Sequence, residues 1–438
     1  MDWMHLLVGA THNQDQVNRT VFDRDFDRII FSDPFRRLQD KTQVHPLPEQ
    51  DFVHTRLTHS LEVSSVGRSL GREVGTRVIE KHPILKEQFS AHDFGAIVAA
   101  AALAHDIGNP PFGHSGEEAI SAYFKENEEA IKPKVSEGEW ADLISFEGNA
   151  QGFRLLNKTG HEGLKLSAPT LAAFTKYPRP SKIDSRDKTR RSQKKFGYYQ
   201  SEKEIFNSLE KSLHTLQFSP TQWGRHPLAF LVEAADDICY HIIDLEDGCN
   251  LGLISLEETV QLYAAILGEK FNPEKLAKLK SDKEKVGVLR ALSISELIDQ
   301  CVTLFMDKEA EILSGDFDQS LADVIPAKNA LGDIISVSID KIYRCRTVLE
   351  KEATGYEVLY GLLEVFTIPV LENYNGVPTH RSKTFFRLLP RETQQEIKAS
   401  SSVYEALRAM LDYIASMTDS SAISLFRKVK GISLPGGR

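Results

Sequence analysis

Apolar residues recur at spacings of three and four over Thr58–Ile79, Phe94–His105, Pro227–Leu245 and Val403–Met417. That spacing is the period of an α-helix with a buried stripe, so each stretch is predicted to be helical. No series of short alternating runs separated by turn residues appears, which argues against a sandwich or a barrel. The chain is therefore expected to be mostly α-helical. Helix stops are legible too. Gly108-Asn109-Pro110-Pro111 must end the helix that carries His105, because proline lacks an amide donor and its ring clashes with the preceding turn.

Two stretches break the pattern. Lys176–Lys195 (KYPRPSKIDSRDKTRRSQKK) is strongly basic, contains proline and is nearly devoid of apolar residues, so a loop is predicted there. It reads equally well as a solvated or disordered linker and as a contact for phosphate or a polynucleotide. Lys270–Lys285 is also charged, but with mixed signs, and reads as an exposed helix. No repeat and no clear interdomain linker is visible.

Composition narrows the class. With 438 residues, 41% hydrophobic and 26% charged, the chain is an ordinary globular one, with material for one large domain or two tightly joined ones. The net charge of −9 gives the whole molecule no drive toward nucleic acid or an anionic membrane. An anionic ligand therefore needs a local basic site or a metal. Cys239, Cys249, Cys301 and Cys345 show neither zinc-site spacing nor a disulfide framework. Met1–Ala10 holds a short apolar run (Leu6-Leu7-Val8) without a basic leader, so no signal peptide is expected. The most apolar stretch, Phe94–Ala104, is far shorter than a membrane span. The expectation is a cytoplasmic protein with no membrane partner.

The candidate chemistry begins at His105-Asp106, which ends the apolar run Ala96–Ala104. A carboxylate buried beside an imidazole costs free energy unless something compensates it, and a metal ion does so. Adjacent helical residues point about 100° apart, so both reach one ion only near a helix end. The break at Gly108 and Pro110 supplies that end. His59 and Asp236 would complete a nitrogen and oxygen set suited to Mn²⁺, Fe²⁺, Co²⁺ or Ni²⁺ and, less well, Mg²⁺ or Zn²⁺. The lack of a cysteine ligand argues against structural zinc. Taken singly, His59 could sit on a helix surface, His105 could be a satisfied core histidine, and Asp236-Asp237 could be an acidic pair at a helix N-terminus. Together they are harder to dismiss.

The order His … His-Asp … Asp is the signature of the HD phosphohydrolase superfamily. The longer strings RLTHSLEV, HDIGNPPFGHSGE, FEGNAQGFR and EAADDICYHIIDLED resemble those of the bacterial deoxyguanosinetriphosphate triphosphohydrolase family. So do DRIIFSDPFRRLQDKTQV (Asp27–Val44), KYPR (Lys176–Arg179) and DYIASMTD (Asp412–Asp419). The resemblance covers nearly the whole chain. It departs at SAPTLAAFTKYPR, where a threonine-rich string is expected, and at Gly248, where the family usually has a helix former.

The resemblance implies an HD-domain helical fold, with a phosphohydrolase core over residues 1–260 and a helical C-terminal region over 261–438 that completes the nucleotide site. It implies a metal held by His59, His105, Asp106 and Asp236, with Mn²⁺ favoured over Mg²⁺, Co²⁺, Ni²⁺ or Fe²⁺. His114 matches the family's catalytic histidine and Glu117 its orienting carboxylate, and helical i, i+3 spacing would bring them together. Arg56 and Lys176 match phosphate contacts, where a guanidinium fork suits the phosphate. Tyr240 and Asp244 match contacts to the sugar, with the tyrosine leaving no room for a ribose 2′-hydroxyl. Gln43 matches a contact near the sugar and base, and Arg408 a C-terminal arginine that reaches the nucleotide.

The implied reaction cleaves dGTP, or several dNTPs, to deoxynucleoside and inorganic triphosphate. A homo-oligomer is implied, and an activating dNTP or a single strand of DNA is a candidate effector. The alternatives are another HD enzyme, such as a nucleoside 5′-monophosphatase or cyclic-nucleotide phosphodiesterase, and a nucleic-acid-binding protein with a relict site. The former needs neither the His114/Glu117 pair nor Arg56. The acidic net charge and complete ligand set weigh against the latter.

Overall fold

The computed structural model describes residues 1–8, 19–43, 54–158 and 163–433. Val44, at the end of the DRIIFSDPFRRLQDKTQV match, and Gly9 and Ala10 lie outside them. The described residues are mostly helical, and their only ladder is a short hairpin, Gln217–Ser219 with Gln222–Trp223. The expected helices are present, observed as Arg56–Lys81, Ala91–Ala104, Pro227–Asn250 and Val403–Ser416. Lys270–Lys285 differs from expectation. It holds a short helix, Pro273–Ala277, and then the start of Asp282–Asp307, which opens at a Ser281 capping box with Glu284. Two N-cap side chains drawing the chain into fresh starts explain the interruption.

Three helices make the scaffold of the site. Arg56–Lys81 starts at Thr55, whose hydroxyl and Thr58 cap one another reciprocally. It runs beside Ala91–Ala104, and the Ser64 hydroxyl donates to the Ala99 carbonyl across the contact at 2.8 Å. Ala91–Ala104 is buried along almost its whole length, as its alanine-rich, all-round apolar sequence requires. Pro227–Asn250 packs on both. Gly248, the departure noted above, sits where an added Cβ would lie 2.7 Å from Ile342 and 2.9 Å from Ile254, so the tight packing of these side chains excludes a larger residue.

Two large hydrophobic clusters and a small one of Ala150, Phe196 and Tyr199 result among the described residues, and they do not part at residue 260. The largest runs from Trp3 to Ile342 and takes in the helices Leu256–Leu267 and Asp282–Asp307. The second joins Phe112–Phe146 to Val358–Ala422. Leu6 and Leu7 of the N-terminal apolar run are fully buried in the largest one. Arg346–Tyr374 is long and apolar enough to cross a membrane by composition, but 67% of its most apolar window is buried inside the protein, as in a core helix.

Candidate active site

His105 is the C-cap of Ala91–Ala104, so the chain turns away just as the helix delivers it. Its Nδ1 donates to the Ala102 carbonyl at 2.8 Å, which leaves Nε2 as the atom that faces the carboxylates. His59, one turn into Arg56–Lys81, is buried and places its ring edge-on to His105 at 5.3 Å between centroids. Ligand atoms of His59, His105 and Asp106 all lie within 4.8 Å of one another. Asp236 comes from the middle of Pro227–Asn250, and its Oδ1 is 3.2 Å from His59 Nε2 and 3.4 Å from His105 Nε2. Asp237 turns the other way and accepts from the Ser320 hydroxyl at 2.7 Å. The doublet is thus no helix N-terminal pair, and Asp236 is the member that meets the histidines.

Positive charge surrounds the two carboxylates. Arg56 Nη1 donates to Asp106 at 2.8 Å, and Lys176 Nζ donates to Asp236 at 2.6 Å. Burial by itself would raise Asp106, but Arg56, His105 and His59 outweigh it and hold the carboxyl well below the usual range. The same contest holds Asp236 low, through Lys176 and His105. Both acids are therefore ionised, and two imidazole nitrogens with two carboxylates fit a divalent ion.

His114 opens the helix His114–Glu126 behind Gly113, whose φ of +58° is costly for any other residue. An added Cβ at Gly113 would also lie 2.7 Å from the Arg56 guanidinium. His114 Nδ1 is 2.7 Å from Glu117 Oε2, and the Gly148 amide donates to Glu117 Oε1 at 2.7 Å. Burial would raise Glu117, but its bond with His114 and the charge of Lys195 lower it.

A polar cavity of about 710 Å³ opens over these groups. Of the residues singled out in the sequence, Gln43, Arg56, His105, Asp106, His114, Lys176, Asp236 and Tyr240 line it. A smaller cavity of about 260 Å³ shares Gln43, Arg56, His114 and Tyr240 and adds Tyr343 and Lys351. The carbonyl of the Gln43 side chain is buried with no partner among the described residues, where it can accept from a ligand.

Two residues stand apart. Asp244, one turn beyond Tyr240, accepts from the Tyr343 hydroxyl at 2.6 Å and does not line the cavity. Burial, then Asp247, pushes its carboxyl up to about 7. Arg408 is fully buried away from the cavity, with its guanidinium 3.6 Å from the Tyr199 ring centroid and donating to Gln151. Its placement here is inside the C-terminal packing and not against the cavity.

The sequence reading assigned no role to several residues that the structure brings in. Asn149, Tyr177, Arg191, Lys194 and Lys195 also line the large cavity. All but Asn149 come from the basic stretch, which is tied down and not a free linker. Arg191 holds Glu233 at 2.9 Å, Ser192 donates to Asp318 at 2.5 Å, and Arg179 donates to the Gln193 carbonyl at 3.1 Å. The recurrence of lysine and arginine after KYPR was the available signal. Tyr343 had none, since it lies in a short π-helical turn far along the chain.

The HD domain family model matches residues 56–141, and the phosphohydrolase-associated domain matches residues 327–428. The chain is 41% identical to a deoxyguanosinetriphosphate triphosphohydrolase-like protein of Synechocystis sp., covering 99% of this chain and 100% of that one. It is 38% identical to a protein of the same description from Pseudomonas aeruginosa, again over 99% and 100%. Against the deoxyguanosinetriphosphate triphosphohydrolase of Enterobacter sp., identity is 32% over 94% of each chain.

Proposed function

Because the chain belongs to the deoxyguanosinetriphosphate triphosphohydrolase family of HD-domain hydrolases, we propose that it cleaves a 2′-deoxynucleoside 5′-triphosphate to deoxynucleoside and intact inorganic triphosphate. The observation that supports this reading best is the shared wall. His105, Asp106 and Asp236, His114, and the cations Arg56, Lys176 and Lys195 all line one cavity, with His59 behind the first three and Glu117 behind His114.

His59, His105, Asp106 and Asp236 would hold a divalent ion, Mn²⁺ by preference, with Mg²⁺, Co²⁺, Ni²⁺ or Fe²⁺ as alternatives. Such an ion, when bound, supplies a Lewis acid for phosphate oxygens and lowers the pKa of water. The chain's own groups do the rest. Arg56, Lys176 and Lys195 neutralise the triphosphate, and Arg56 is fixed by Asp106 so that little entropy is lost on binding. Water attacks the α-phosphorus, and the bond from that phosphorus to O5′ breaks. Glu117 accepts the Nδ1 proton of His114, so Nε2 faces the cavity as the proton-transferring atom. It takes up the proton of the attacking water and returns one to O5′. Tyr240 packs the sugar, Gln43 serves the base end, and the smaller cavity takes the nucleoside; Asp244 would reach the sugar hydroxyl only once Tyr343 releases it. Arg408 would reach a nucleotide only after rearrangement.

The reading extends to dGTP or several dNTPs as substrate, to an activating dNTP or single-stranded DNA as effector, and to a cytoplasmic homo-oligomer. The monophosphatase and phosphodiesterase readings leave the further cations Arg191, Lys194 and Lys195 without a use. Product analysis by ion-exchange chromatography tests the proposal, using each dNTP singly, all four together, and GTP, with Mn²⁺. Deoxynucleoside plus intact triphosphate is expected, with GTP spared. Release of phosphate or pyrophosphate overturns it, and turnover only in the mixture points to an activating nucleotide.

A further inference from the structure

The reaction cavity does not end at Lys195. Arg191, Lys194 and Asp323 on its wall also line a second cavity of about 310 Å³, into which Arg186, Lys188 and Arg190 face. In a chain of net charge −9, five cations gather here against Asp318 and Asp323.

The acids here already have partners. Asp318 pairs with Arg190 at 3.1 Å and with Arg225 at 3.0 Å, and Arg191 is held by Glu233 at 2.9 Å. Arg190 also stacks over Phe218, 4.5 Å from the ring centroid. Arg186, Lys188 and Lys194 are exposed and make no ion pair with any described residue. Their backbone is nonetheless held. The Asp187 carboxylate accepts from the Thr189 amide and hydroxyl at 2.9 and 2.6 Å, and the Asp187 amide donates to the Gln193 side chain at 2.7 Å. A walled cavity with uncompensated cations on an anchored loop is a preorganised anion site, because little ordering remains to be done on binding.

We propose that this cavity is a second polyphosphate subsite that takes inorganic triphosphate as it leaves the reaction cavity. The proposal rests on the reading that the reaction releases triphosphate intact. A multiply charged product that leaves the cations of the reaction cavity meets an outward path of further cations through Arg191 and Lys194. Product release then becomes a transfer between subsites, with no single escape from the strongest field.

Equilibrium dialysis of labelled inorganic triphosphate against the full-length protein, at fixed free Mn²⁺, tests this. Wild type is expected to bind two triphosphates per chain. The R186A/K188A variant, altered only at residues outside the reaction cavity, is expected to lose one of them and to keep dNTP turnover. A non-hydrolysable dNTP analogue should displace one triphosphate from wild type and leave the other, which separates free triphosphate from the tail of a second nucleotide. One triphosphate per chain in wild type, two in the variant, or displacement of both by the analogue overturns the proposal. So does a single-stranded oligonucleotide whose binding alone is lost in the variant, which would make the patch a strand surface. Two bound triphosphates without dNTP hydrolysis would count against the reaction and support the subsite.

Discussion

His114 and Glu117 stand one turn apart on the same helix with Nδ1 and Oε2 2.7 Å apart, and the second carboxylate oxygen is occupied by the Gly148 amide. Glu117 is therefore held from two sides while His114 is 83% exposed to the cavity. The carboxylate fixes the tautomer, and the imidazole is left free to meet a ligand. His114→Ala should keep the bound metal and lower kcat by about a hundred- to ten-thousandfold, the usual worth of a positioned acid–base group. Glu117→Gln should lower kcat less, because an amide oxygen can still accept from Nδ1 but no longer carries the charge that favours a protonated ring. Metal content by mass spectrometry beside a pH–rate profile checks both. Loss of metal from the His114 variant would place that residue among the ligands instead.

His105 and Asp106 carry the opposite expectation. His105→Ala removes a nitrogen that lies within 4.8 Å of donors from His59 and Asp106 and leaves the ionised Asp236 short of a partner. Metal content and turnover should fall together, with kcat near the background rate. Added Mn²⁺ should restore little, because a donor is missing. A variant that stays active after metal removal would refute the ligand set.

Much of this was legible in the sequence, and the reasons can be named. A buried acid beside a histidine at a Gly-Pro break is a conflict that only a partner resolves, so His105-Asp106 announced itself. His114 and Glu117 came from the resemblance of HDIGNPPFGHSGE, and helical i, i+3 spacing only set them side by side. The order of the helices followed from period alone. What was not legible depends on contacts between distant segments. Arg191 and Lys195 belong to a stretch whose composition fits solvent as well as phosphate, and only anchors such as Glu233 decide the matter. Tyr343, which occupies Asp244, comes from 99 residues away. The division expected at residue 260 has no counterpart in the packing, since helices on both sides of it share one cluster. Arg408 carried the resemblance of its motif, yet an aromatic ring and Gln151 absorb it inside the C-terminal packing.

Glu210 makes a prediction about stability that is independent of the reaction. It is buried, its carboxylate is bonded to the Thr215 hydroxyl at 2.5 Å, and burial pushes it up to about 8. The folded protein thus keeps a proton that the unfolded chain gives up in the ordinary glutamate range. Stability should fall as the pH rises from that range and level off above about 8. At about 1.4 kcal/mol for each tenfold change in proton affinity, the loss amounts to a few kcal/mol at most. Urea unfolding at pH 5 and pH 8 should show it, and Glu210→Gln should flatten the difference. An unchanged slope in that variant would assign the effect to other groups.

Glu147 links the two ends of the phosphate-facing wall. Its carboxylate accepts from the Asn149 side chain at 2.7 Å and lies 3.2 Å from Lys195 Nζ, and both partners line the reaction cavity. It touches no reacting atom on this reading and acts through the groups it positions. Burial raises its carboxyl, and the nearby Glu117 raises it further, so its charge is costly and Lys195 offsets the cost. Glu147→Gln keeps the bond with Asn149 and removes the charge that anchors Lys195. The fold should tolerate the change, since repulsion with Glu117 is relieved. KM for a dNTP should rise by about ten- to a hundredfold, the worth of one charged hydrogen bond, while kcat changes little. If Glu147 were only structural, the melting temperature would fall and KM would hold. Steady-state kinetics and a melting curve on the same preparation separate the two, and an unchanged KM would remove Glu147 from the substrate site.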